Sequence, residues 1–86
     1  MSVLSNLKSS LNFANEMCKK YTGLLKEWQH NAVNQLNDYC KGNITCEEYL
    51  NFVKGYNRVL LQYDYWLSNQ SWLQYRVNEE AEKCHH

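Results

Sequence analysis

One turn, Lys41-Gly42-Asn43-Ile44-Thr45, does most to limit what this chain can become, because it stands between two long segments whose apolar residues follow a helical period. It divides the 86 residues almost in half. Proline is absent and only three glycines occur, so the strongest helix punctuation is missing from both segments. The reading that follows is all-α: a long antiparallel two-helix hairpin forming a single domain over 1–86, with a helix over about 3–41, a turn at 42–44 and a helix over about 45–83.

The first segment carries a sustained heptad. Leu4, Leu11, Cys18, Leu25, Ala32 and Tyr39 form one row, and Leu7, Ala14, Tyr21, Trp28 and Gln35 the other. Two rows held over this length signal a packed helix seam. The opposite face carries Lys8, Asn12, Glu16, Lys19, Lys26, His30, Asn34 and Lys41, as a solvated helix face does. Thr22-Gly23 could end a first helix and give three shorter ones, since Gly within a helix costs about 1 kcal/mol against Ala. The heptad crosses Gly23 without a change of phase, so a continuous helix is expected. At the turn, Gly42 can take the left-handed conformation that ends a helix. Thr45 and Glu48 have the spacing of a capping box that starts the next.

The second segment reads as Val53, Leu60 and Leu67 in one row and Tyr49, Tyr56, Tyr63 and Gln70 in the other, with further apolar residues around them. These cover well over half of the helix circumference, whereas a helix with a single partner needs one stripe. Eight of the aromatic residues lie in this half. Left bare, they would form an apolar patch too large for an ordinary soluble monomer. The expected resolution is a homodimer, two hairpins forming a four-helix bundle. Gln35 and Gln70 occupy seam positions, where polar residues lower stability and fix register. Replacing Gln70 by Leu is therefore expected to raise stability.

Nine Lys+Arg balance nine Asp+Glu. That balance argues against nucleic acid as a partner, which requires clustered positive charge. No apolar run is long enough to cross a membrane, and the N-terminal residues lack a secretory pattern. The expectation is a cytoplasmic protein with four reduced cysteines. Cys40 and Cys46 flank the turn and could pair only in an oxidising compartment. Asn43-Ile44-Thr45 and Asn69-Gln70-Ser71 match glycosylation sequons, which without secretion carry no modification.

Cys84-His85-His86 contains metal-binding residue types, but three adjacent ligands at a terminus do not complete a tetrahedral site. His85-His86 also has the form of a purification tag. His30 lies near Glu27 and Asp38 in sequence, with no nucleophile beside it in any known arrangement, so no catalytic residue, metal or cofactor is assigned. Lys54, Arg58 and Arg76 fall among Tyr65, Trp72 and Tyr75, a mixture that can stack on bases while cations hold phosphate.

The run Gly42-x-Ile44-Thr45-x-x-Glu48-Tyr49 resembles the turn of many short bacterial and phage helical hairpins. It covers eight residues and describes a turn, so it implies the hairpin and no activity. The composition, rich in Asn, Gln and Tyr, is likewise similar to that of phage and mobile-element products. The expected function is a non-enzymatic interaction module that self-associates and binds an unidentified protein, in the manner of a phage accessory protein that inhibits or remodels a host factor. Tyr56, Tyr63, Tyr65, Trp66, Trp72 and Tyr75 are the expected contacts, because Tyr and Trp dominate interface hot spots. Two alternatives stand beside it: a nucleotide or single-strand binder using Lys54, Arg58 and Arg76, and a structural subunit of a larger particle.

Overall fold

The computed structural model describes residues 2–84, with the side chain of residue 84 left out of the description. It contains two helices, α1 (Val3–Cys40) and α2 (Cys46–Cys84), of 38 and 39 residues. They fold back on each other as a rod measuring 66 × 17 × 17 Å. At 1.5 Å rise per residue each helix is about 57 Å long, so the hairpin is one helix long and two helices wide. The expected all-α hairpin is present, and α1 runs through Thr22-Gly23 unbroken. The ends fall one residue from those expected: Lys41 caps α1, and α2 begins at Cys46.

Each helix end is closed by its own local chemistry. Ser2 caps α1, its hydroxyl accepting from the Ser5 N–H at 3.0 Å. After Lys41 the chain turns through Gly42 at φ 77°. The Gly42 N–H donates to the Tyr39 carbonyl and the Asn43 N–H to the Asp38 carbonyl, at 3.1 and 2.8 Å. This pair of bonds is the Schellman closure, which satisfies carbonyls left free at a helix end. The Glu48 N–H then donates to Thr45 Oγ1 at 3.1 Å, and the Thr45 N–H to Glu48 Oε1 at 3.3 Å. The capping box is therefore reciprocal.

The core lies toward the open end of the hairpin, away from the turn. Leu11 and Ala14 of α1 pack with Leu73 and Val77 of α2, and Leu4, Leu7 and Trp66 close around them. Cys18 and Leu25 continue the buried row of α1. In the middle the packing is aromatic: Trp28 meets Phe52 and Tyr56 at centroid distances of 5.1 and 6.4 Å. The Trp28 indole also covers Gly55, where a Cβ would fall 2.6 Å from Trp28 Cη2. Near the turn, Tyr39 stacks on Tyr49 at 4.9 Å.

The structure corrects the seam of α2. The expected row Val53, Leu60, Leu67 takes no part in the buried cluster, and Leu67 is exposed. Its place is taken by the row one residue earlier, whose members Phe52, Trp66 and Leu73 meet α1 or the buried cluster. The other row is as expected and ends in Val77. Gln70 of that row donates through Nε2 to Asn15 Oδ1 at 2.5 Å, so the polar seam residue is matched across the hairpin by another amide.

Candidate interaction face

The six aromatics expected to form one contact face divide into two groups. Tyr56 and Trp66 turn toward α1, where Tyr56 meets Trp28 and Trp66 meets Phe13 edge-on at 5.3 Å. Tyr63 shares their side of α2 and is half-buried. Tyr65, Trp72 and Tyr75 point outward and are 58, 58 and 64% exposed. Leu61, at 68% exposure, stands in line with them.

Leu61, Tyr65, Ser68, Trp72 and Tyr75 follow one another at intervals of four, three, four and three residues. At 3.6 residues per turn they share about 80° of arc. By the same count the seam residues Phe52, Val59, Gln70 and Leu73 lie on the opposite side. The helix thus carries one apolar stripe toward α1 and a second directly away from it. Residue type alone does not point to Leu61 and Ser68, which belong to the stripe by their position on the helix. The four-three spacing was the signal that could have found them.

The three basic residues also separate. Arg76 is half-buried and forms ion pairs with Glu79 and Glu80, to which Lys83 adds its own at 3.7 and 3.4 Å. Its guanidinium is thus already matched by two carboxylates. Lys54 and Arg58 are exposed one turn apart and make no ion pair among the described residues.

Among the described residues the remaining candidates stand apart from one another. Asp38 belongs to the turn, accepting from Asn43 Nδ2 at 3.4 Å, while His30 is exposed on an open groove with Lys26, Glu27 and Asn31. Cys18 lines a groove of about 680 Å³ that is open to solvent, and burial pushes its thiol up from the ordinary value. A raised thiol pKa lowers the thiolate fraction and with it nucleophilicity near neutral pH. Cys40 and Cys46 are exposed free thiols at the turn. The Tyr39 phenol is pushed above its ordinary value, first by a side-chain hydrogen bond with Cys46 and then by the charge of that thiol. Among the described residues no group of three or more His, Cys, Asp or Glu could hold a metal ion. His85-His86 lies outside the described residues. No described helix is long and apolar enough to cross a membrane.

The fold and the face define a class, a two-helix hairpin with an exposed aromatic stripe on the outer side of α2. No known protein family, curated protein or solved structure matches the chain.

Proposed function

We propose that this chain is a non-enzymatic helical-hairpin interaction module, which self-associates and acts by binding another protein. One observation carries the reading: the outward stripe of α2 presents Leu61, Tyr65, Trp72 and Tyr75, each more than half exposed, along a single line. A run of large apolar residues on the solvent side of a helix is costly unless something covers it. Tyr and Trp supply large contact area with few rotatable bonds, which suits them to interfaces. A stiff rod with an adhesive face on α2 fits an accessory protein that blocks or remodels a larger assembly. Grooves that stay open to solvent support a binding role over a chemical one.

The nucleotide-binding alternative is weakened by the pairing of Arg76, which leaves Lys54 and Arg58 as its cations. Light scattering on a sizing column, with absorbance read at 260 and 280 nm, tests the proposal. The expected result is a dimer whose absorbance is that of protein alone. A monomer at every concentration would remove the self-association, and a bound 260 nm chromophore would favour the nucleotide reading.

A further inference from the structure

The outward stripe of α2 has the form of a second coiled-coil seam. Its four-three spacing supplies the a and d rows of a heptad. Extended in both directions, those rows pass from apolar residues into charge: Arg58 before Leu61, Glu79 and Glu82 after Tyr75. Resting on the self-association proposed above, we infer that a second copy of this chain occupies the stripe, α2 against α2 and antiparallel, about a two-fold axis near residue 70.

Three features select this occupant and this direction. The first is charge. A parallel pair would set Arg58 against its own copy and Glu79 against its own, and like charges juxtaposed across an interface are unfavourable. An antiparallel pair lays the basic end of one stripe over the acidic end of the other, with Arg58 level with Glu82. Neither residue has an ion-pair partner within the described hairpin, so both are available.

The second is size. Antiparallel pairing about residue 70 brings Trp72 of each helix level with Ser68 of the other, and Tyr65 level with Tyr75. Ser68 is the single small residue of the stripe, and a large side chain facing a small one lets helix surfaces interdigitate.

The third is area. The chain exposes 6443 Å². A compact monomer of its 10.3 kDa exposes about 5,400 Å², so the rod carries on the order of 1,000 Å² of excess surface. A stable interface of standard size removes about 800 Å² from each partner.

The architecture of the dimer follows. The stripe lies opposite the α1 seam, so the helices stand in one layer, α1, α2, α2, α1, instead of at the corners of a square bundle.

The test uses the full chain and three variants. Ser68 is exposed, and its side chain has no hydrogen bond among those found between the described residues. Ser68→Glu should therefore leave the far-UV circular dichroism unchanged while raising the dimer dissociation constant at least tenfold. Arg58→Glu should weaken the dimer, and Arg58→Glu combined with Glu82→Arg should restore it. Small-angle scattering should give a flat slab four helices wide. If the unmodified chain is monomeric at every concentration, this inference and the self-association fall together. A dimer that tolerates Ser68→Glu would keep self-association but move it to another face, overturning the inference alone. A double charge reversal no stronger than Arg58→Glu would overturn the antiparallel order.

Discussion

Gln70 and Asn15 share a side-chain hydrogen bond that joins α1 to α2 midway along the open half of the hairpin, Nε2 donating to Oδ1 at 2.5 Å. Two amides facing each other across the hairpin specify register, because a slip by one residue would leave both without partners.

That pairing reverses the expected effect of Gln70→Leu. Read from sequence, the substitution removes a polar intruder and adds stability. In the structure it leaves the half-buried Asn15 amide without its partner, which costs about 1 kcal/mol. Replacing both Asn15 and Gln70 by Leu should recover the loss or exceed it. Urea unfolding of the two single variants and the double variant, at one chain concentration, measures the coupling. Additive losses would show that the two amides act independently.

Gly23 and Gly55 should respond to alanine with opposite signs. Both lie within helices, and Ala is the better helix former by about 1 kcal/mol. Nothing lies within 4 Å of a Cβ at Gly23, so Gly23→Ala should gain most of that amount. At Gly55 the new methyl would meet the Trp28 indole at 2.6 Å. Overpacking of this kind costs about 1–3 kcal/mol, so Gly55→Ala should destabilise. In a Trp28→Ala background the same substitution should become stabilising. Thermal unfolding of the four proteins checks the sign change, and a loss that persists without Trp28 would place its cause elsewhere.

These cases show which parts of the fold were legible in the sequence. The turn could be read because Gly42, Thr45 and Glu48 act through bonds to near neighbours in the chain. The α1 seam could be read because its apolar rows hold one phase while its other face is polar. In α2 the apolar residues surround most of the helix, and periodicity alone cannot say which arc meets α1. Ala14, fully buried, and the close seat of Trp28 on Gly55 set that arc, and both are contacts between distant residues. The proposed outward face was half legible for the same reason. Residue type picks out six aromatics, but only the rotation of α2 separates Tyr65, Trp72 and Tyr75, which point outward, from Tyr56 and Trp66, which turn toward α1.

The turn should be sensitive at two positions for two different reasons. At φ 77° an alanine in place of Gly42 brings its Cβ against the following carbonyl, at a cost of about 1–2 kcal/mol. Thr45→Ala removes the oxygen that accepts the Glu48 N–H and should cost about 1 kcal/mol. Thr45→Ser keeps that oxygen and should recover most of the loss. Circular dichroism during chemical unfolding separates the three variants. Equal losses for Thr45→Ala and Thr45→Ser would mean that the hydroxyl contributes little.

Cys18 should give the hairpin an alkaline weakness. Burial raises its pKa in the folded state, because the thiolate is disfavoured beside the apolar seam. In the unfolded chain the thiol titrates near its ordinary value of about 8.5. Below that pH both states hold the proton, and the contribution of Cys18 is fully present. As pH rises past it, the unfolded state gives up the proton first. The folded state then binds more protons, and stability falls with pH until the folded thiol ionises too. Cys18→Ala sacrifices packing, so it should be less stable near neutral pH yet lose less on going alkaline. Urea midpoints of the two proteins across the alkaline range test this. Parallel curves would remove Cys18 as the cause of the slope.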